Sequence, residues 1–487
     1  MNSPRSDATG ARLVSRATRI DDVPVRAVLA AASSTESDGP PDPWHPRTVW
    51  DAPGEPTVVA GGVAAELTAE GEDRFDSVRR AADALLADAD LDASGVARPR
   101  LFGGFAFHAD RHVDDPERGE VAHGDTDPGG RDVSSVWAGF PGARFVLPRV
   151  QVVWDEDGTW LTVSAVGPEA TEEAVERRLA TERDRLASLP EPGDVAEPPG
   201  IDGLEHVVPR EAWCAGVAAA IDRIEAGELS KVVLAQVLEA RLRRPLSLPS
   251  VLARLGETYP DCYRFLIEPT PAAAPPSTEG SATDTPSFFG ATPERLVRLE
   301  GRQLRTGALA GTTGRGETSA EDEWLAEELL DSAKNAREHD LVVEAVRDQL
   351  EPFAASISTG ERRVRRLATV QHLWTPIAAD LAADEHVLSL VAALHPTPAV
   401  GGLPPERALA TIRETEPFDR GWYAAPVGWF DAEGDGSFAV AIRSAVARGR
   451  TATLFAGVGV VADSDPDAEW DEAQLKYRPI LDELDRD

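Results

Sequence analysis

The segment FAGVGVVADSDPDAEWDEAQLK, Phe455 to Lys476, joins an apolar strand to an acidic helix through a turn of Asp, Ser and Pro. Its apolar run reads as a strand from Ala452 to Val461, and its periodicity carries a helix from Pro466 to Leu484. Gly457 and Gly459 interrupt a strand that otherwise belongs in a core. Glycine weakens a strand interior unless some group must approach the backbone closely, and amides exposed there would hold a carboxylate. A G-x-G pair alone does not settle the matter. On the helix, Glu469 and Glu472 stand three residues apart on one face.

Outward from this segment, Val427 to Phe430 and Phe438 to Val446 also read as strands, the second as the alternating FAVAIRSAV around Arg443. An arginine among small apolar neighbours is seldom left unpaired, and its fork fits a carboxylate bidentately. A structural ion pair and a bound substrate carboxylate both answer that requirement. Further upstream, a long helix from Ala320 to Gln349, opened by a capping box at Thr318 and Glu321, carries Glu338. Carboxylates from two separate helices make an oxygen cage suited to Mg²⁺, which takes one or two protein carboxylates plus an anionic substrate. In a chain with 84 acidic residues, a solvated helix face is the competing account. Gly307 and Gly311, flanking Ala308 to Ala310, mark a further glycine turn.

Lysine is nearly absent: of 49 basic residues only Lys231, Lys334 and Lys476 are lysines. Arginine substitutes wherever a solvated charge is enough, but not where an ammonium must lose its proton and act as a base. GC-rich coding or adaptation to high salt would deplete lysine as well. Helix Glu211 to Ala226 leads through Gly227 to Lys231 at the entry of the strand Lys231 to Leu242. Desolvation there would lower the ammonium pKa toward neutrality, as a lysine general base requires. The other reading is a strand-end lysine snorkelling to water.

A formal charge of −35 excludes nucleic acid as a partner, since a row of phosphates would be repelled. The acids are spread along the whole chain, and a hydrophobic content of 42% supports a folded core. Such a surface suits a salt-rich, halophilic cytoplasm, because at molar salt the Debye length falls to about 3 Å. Cys214 and Cys262 show no metal-ligand spacing and are expected reduced. Val23 to Ala32, broken by Arg26, reads as a strand and not as a signal segment. No run approaches the roughly 18 apolar residues of a membrane span, so a soluble, cytoplasmic protein is expected.

The Pro/Gly/acid stretch Ser188 to Gly203 separates an N-terminal region, residues 1–200, from a denser one, residues 201–487. Residues 269–287 read as a long, mobile hairpin insertion between Tyr263 to Ile267 and Phe288 to Phe289. The N-terminal region alternates strands (Leu101 to Phe107, Arg144 to Trp154, Thr159 to Val166) with helices (Asp76 to Ala87, Thr171 to Leu189), so a mixed α/β fold is expected. No internal repeat interrupts this pattern.

Eight ordered motifs between Leu204 and Leu484 give the chain a resemblance to the chorismate-utilising enzymes, which include isochorismate, salicylate, anthranilate and aminodeoxychorismate synthases. They are SKVVLAQ from Ser230, FGATPERL from Phe289, TGALAGT from Thr306, KNAREH from Lys334, QHLWTPI from Gln371, LHPTPAVGG from Leu394, AIRSA from Ala441, and the segment ending at Lys476. FGGFAF from Phe102 extends the likeness into the N-terminal half. The resemblance implies two large antiparallel-rich sheets packed together, helices outside, and the site in the cleft between them. It implies Lys231 as the base that activates water and Glu294 as the acid that protonates the departing ring hydroxyl. Glu338 and Glu472 become Mg²⁺ ligands with Glu469 close behind. Tyr423, Arg443 and the amides at Gly457 and Gly459 become holders of carboxylates, and Gly311, His372 and Lys476 line the same pocket. Lys334 takes no role beyond its motif.

Three positions separate the members of the resembled family. Anthranilate synthases typically carry glutamine where this chain has Lys231, and aminodeoxychorismate synthases carry lysine at the position of Ala310. Salicylate and anthranilate synthases usually have threonine where this chain has Ala399. All three point to Mg²⁺-dependent formation of isochorismate from chorismate, with menaquinone as the expected destination. A monomer needing no glutaminase partner follows. The rivals are salicylate synthase, an ammonia-using synthase component, and an inactive acidic chorismate-binding scaffold.

Overall fold

Most of the apolar runs become strands, and the strands sort into two sheets with ten α-helices among the described residues. The computed structural model describes residues 12–31, 44–93, 95–109, 136–270 and 285–485. Residues 271–284 of the expected insertion lie outside the described residues, as does the side chain of Lys334. Among the described residues the larger sheet has 13 strands and the smaller 10, and every pairing is antiparallel except that of Leu13–Ile20 with Asp90–Asp92. Sequence on both sides of residue 200 supplies strands to both sheets. Their inward faces share one apolar core, which includes Val59, Phe105, Phe265, Phe288 and Phe438.

Three runs read as single elements are in fact broken. Arg144 to Trp154 becomes Ala143–Leu147 in the smaller sheet and Val150–Asp155 in the larger. Phe438 to Val446 likewise becomes Gly436–Val440 in the smaller sheet and Ser444–Arg448 in the larger. Hydrophobic periodicity registers burial, and a chain crossing between two sheets that share a core stays buried throughout. The helix from Ala320 to Gln349 becomes Ser319–Asp331 and Ala333–Leu350. Ser332 ends the first in an extended conformation, and its hydroxyl accepts from Asn335 N at 3.2 Å to cap the second. At Thr318 the cap bond to Glu321 N forms at 3.2 Å, but the Glu321 carboxylate accepts from Glu317 N, so the box closes one residue early. Val25–Ala31, expected as a strand, is a helix. Pro24 fits ahead of its first turn, where the Pro24 carbonyl accepts from Ala27 N at 2.9 Å, and alanine and leucine favour helix over strand.

The glycine turn expected at Gly307 and Gly311 falls instead inside the strand Gln303–Gly314; the other helices and strands lie within two residues of their expected bounds, and Lys231–Leu242 and Pro466–Leu484 match them fully. Both cysteines are free thiols. Among the described residues no helix is long and apolar enough to cross a membrane.

One buried ion pair ties the segment before Tyr423 to the strand that begins at Lys231. Arg420, 1% exposed, donates to both carboxylate oxygens of Glu416 at 2.8 and 2.5 Å. It also donates to the Val400 and Val233 carbonyls at 2.9 and 2.7 Å, while Glu416 accepts from Ala235 N at 2.7 Å. Removing one partner strands a buried charge, which costs about 3–5 kcal/mol. Arg420→Ala should therefore lower the denaturation midpoint sharply. The double variant Arg420→Met with Glu416→Leu should lose less, and equal losses would show that the pair is not the source of the effect.

Candidate functional site

Two chain segments cross side by side from one sheet to the other, and the site is built where they cross. Ser287–Thr292 of the larger sheet passes through Pro293 and Glu294 into Arg295–Glu300 of the smaller. Next to it, Gly436–Val440 passes through Ala441, Ile442 and Arg443 into Ser444–Arg448. The crossings are bonded to each other: Val440 N donates to Glu294 O at 3.0 Å, Ala291 N to Arg443 O at 3.1 Å, and Thr292 Oγ1 to Val440 O at 2.6 Å. Arg443 sits at φ +52° and Ala424 at +59°, the only non-glycine residues with positive φ among the described ones. Both line one cavity of about 290 Å³. Strain of this kind costs about 1–3 kcal/mol and persists where neighbours over-determine the backbone.

That cavity brings together all twelve residues singled out in the sequence: Lys231, Glu294, Gly311, Glu338, His372, Tyr423, Arg443, Gly457, Gly459, Glu469, Glu472 and Lys476. Lys231, 2% exposed, opens its strand and sets Nζ 2.7 Å from Glu338 Oε1. His339, the next residue along, donates from Nδ1 to Ala310 O (3.3 Å) and shares a hydrogen bond between Nε2 and Thr375 Oγ1 (2.7 Å), fixing the helix that carries Glu338 against two strands of the smaller sheet. Lys476 Nζ lies 2.6 Å from Glu472 Oε1 and donates to Gly457 O at 2.8 Å. Glu469 Oε1 accepts from Ser464 Oγ at 2.7 Å.

Gly457 and Gly459 gain a role from the geometry that the sequence did not express. A Cβ at 459 would stand 3.0 Å from Lys231 Cε and 3.3 Å from Glu338 Oε1; one at 457 would stand 3.0 Å from the Tyr423 hydroxyl. Their missing side chains are the room in which those groups sit. Gly311, at φ +78°, occupies a bulge between Ala310 and Thr312, which turns the Thr312 hydroxyl to within 3.0 Å of His372 Nδ1.

Burial sets the charge states here. It pushes the Glu294 carboxyl up to about 7, against the opposing pull of Lys231, a 3.4 Å hydrogen bond from Thr397, and the charges of Arg443 and Lys476. The same desolvation raises the Tyr423 hydroxyl to about 12 and, with Arg443 and Lys476 nearby, holds His372 neutral. His372 Nε2 has no hydrogen-bond partner among the described residues. Arg443, 6% exposed, makes no side-chain hydrogen bond or ion pair among them either. Of the two accounts of Arg443 open in the sequence, the internal ion pair is therefore absent.

The donor set Glu338, Glu469 and Glu472 is oxygen-only, as a hard cation prefers. Among the described residues no three His, Cys, Asp or Glu side chains are gathered closely enough to hold an ion unaided. Mg²⁺ needs only one or two protein carboxylates when an anionic substrate completes its shell, so these residues fit it on that condition. Asn335, Thr312 and Thr397 were missed as site residues. All three stand inside quoted motifs, and Asn335 is signalled further by its place three residues before Glu338 on one helix face. Ala310 and Ala399, two of the three positions that separate the enzymes resembled, also line the cavity.

Over residues 5–485 the chain matches the family described as chorismate binding enzyme. It is 37% identical over 473 residues to the salicylate biosynthesis isochorismate synthase of Pseudomonas aeruginosa, spanning 94% of this chain and 90% of that protein. To the isochorismate synthase MenF of Bacillus subtilis it is 34% identical over 394 residues, 79% of this chain and 74% of that one. In fold it resembles the menaquinone-specific isochorismate synthase MenF of Escherichia coli, with a TM-score of 0.72 at 24% identity, covering 100% of this chain and 96% of the other.

Glu294 is buried with its folded value raised from 4.5 to about 7, so its contribution to stability is complete below 4.5 and is lost as pH rises through 7. A shift of that size corresponds to about 3 kcal/mol. Urea midpoints of the wild type should fall across this window, and those of Glu294→Gln should stay flatter. Parallel profiles for the two proteins would remove Glu294 as the titrating group.

Proposed function

The chain belongs to the chorismate-binding enzyme family, and we propose that it interconverts chorismate and isochorismate. The observation that carries this reading is a buried carboxyl, Glu294, held near half-protonation at neutral pH in the same small cavity as the Lys231 amine. Moving a hydroxyl between two ring carbons needs one proton taken from water and one delivered to the departing oxygen. Lys231 takes a proton from the water that attacks C2. The ring double bonds shift, the C4–O bond breaks, and the hydroxyl leaves as water with the proton of Glu294. Solvent returns the proton from one residue to the other, so atoms and charge balance.

A dianionic substrate approaching a chain of net charge −35 needs local positive charge in the cleft. Arg443, with no internal partner, takes one carboxylate as a bidentate pair, and the Tyr423 hydroxyl, raised to about 12, remains a donor at any working pH. His372 offers Nε2 as a neutral group. Glu338 and Glu472 would hold Mg²⁺, with Glu469 behind them. When bound, that ion supplies positive charge toward the ring carboxylate. Lys231 itself, in place of the glutamine of ammonia-using relatives, makes water the nucleophile. Alanine at 310 and 399, where those relatives and the pyruvate-expelling ones carry larger or hydroxylated side chains, favours release at isochorismate.

Incubation with chorismate and Mg²⁺ in high salt should yield isochorismate without salicylate, pyruvate or anthranilate. Lys231→Ala and Glu294→Gln should each lower kcat by about 10²–10⁴-fold with the circular-dichroism spectrum unchanged. Salicylate plus pyruvate as the main product would overturn the assignment, and a variant keeping most of its turnover would remove that residue from the mechanism. For the destination we propose menaquinone, on the likeness of TPI after the HLW motif. Deleting the gene in its source organism should abolish menaquinone, and undiminished menaquinone would refute this destination.

A further inference from the structure

A second cavity of about 510 Å³ shares Glu294 and Leu309 with the first, while Lys231 lines only the first. Its walls carry Arg295, Arg363, Arg365 and Arg366. Arg366 is paired with Asp322 and Glu323. The other three make no ion pair among the described residues, in a chain whose 84 acids outnumber its 49 bases. Each is braced by an uncharged group instead. Arg363 lies 4.4 Å over the Trp374 ring, and Arg295 bonds the Tyr263 hydroxyl and lies 5.7 Å from its ring. Arg365 donates to the carbonyls of Pro293 and Asp261 at 2.7 and 2.5 Å. Aromatic faces and carbonyls hold a guanidinium in place without neutralising it. Three fixed, uncompensated charges therefore converge on one cleft, with the side chains of Asp261 and the largely buried Glu294 as the acids on its wall.

We infer that this cleft is a second anion site, for a small di- or tricarboxylate, separate from the catalytic cavity and joined to it through Glu294. A volume near 500 Å³ suits a small organic ligand. Guanidinium forks that are already positioned bind carboxylate bidentately with little further ordering. Occupancy is coupled to the chemistry by one contact: Arg365 grips the carbonyl of Pro293, immediately before Glu294. A carboxylate drawing on Arg365 shifts that grip and with it the crossing that presents Glu294.

The test is calorimetric titration of the metal-free, full-length protein with isophthalate at low ionic strength, which needs no turnover and so stands apart from the chorismate reading. Two molecules should bind per chain in the wild type. Arg363→Gln, at the outer edge of the cleft and away from the reacting groups, should leave one, with basal turnover within about two-fold of wild type. Chorismate titrated in the same way identifies the natural occupant: a second chorismate that Arg363→Gln removes assigns the cleft to the substrate, and a single chorismate beside two isophthalates assigns it to a separate carboxylate effector. An isophthalate count that Arg363→Gln leaves unchanged overturns the inference, whatever the number bound in the catalytic cavity.

Discussion

Everything at the site depends on two strands having to leave one sheet for the other at the same place. A strand that continues straight buries its side chains against the partner sheet, whereas one that crosses must turn its backbone within two or three residues. Those few residues, Pro293–Glu294 on one segment and Ala441–Arg443 on the other, belong to neither ladder. They are held by each other, through the bonds from Val440 N to Glu294 O and from Ala291 N to Arg443 O. A left-handed φ at a bulky arginine is stable only under such mutual restraint. The restraint yields a buried carboxyl and a buried guanidinium presented to one cavity from adjacent turns.

Charge within that cavity is arranged by pairing and by its deliberate absence. Lys231 and Lys476 each meet a glutamate, at 2.7 and 2.6 Å, so these two lysine–glutamate pairs are matched within the cavity. Arg443 meets none. In a chain carrying −35, an arginine left without a carboxylate at a buried position is costly unless an anion arrives to pair with it. The glutamates partnered by lysine are the same ones whose oxygens suit a divalent cation. The site is thus internally neutralised where a cation would sit, and positive where a carboxylate would sit.

The sequence made the inventory of this site readable and left its geometry hidden. Lys231, Glu338, Glu472 and Lys476 stand out because lysine is rare here and because the acids fall at helical spacing in recognisable motifs. The crossing at Arg443 could not be read, since FAVAIRSAV keeps its alternation while the chain changes sheets. Arg144 to Trp154 misleads for the same reason: burial is continuous although the hydrogen-bond partners are not. Ser332 is a break that propensity alone does not enforce; its hydroxyl ends one helix and caps the next, which sets the direction of the helix bearing Glu338. Gly457 and Gly459 were legible as a demand for close approach, but only coordinates say that side chains of other strands and helices, and not only a ligand, make that approach.

Glu294 also shows why neither its burial nor its motif explains it in isolation. Glu294 lines two cavities yet is itself buried by the packing of the crossing, and this desolvation outweighs a nearby ammonium and two further cations in setting its proton affinity. The arginine-lined cleft borders the same residue, and Arg365 holds the carbonyl that precedes it. The acidity of Glu294 is therefore set by burial at the crossing against the pull of Lys231, Thr397, Arg443 and Lys476, groups that come from four separate segments of the chain.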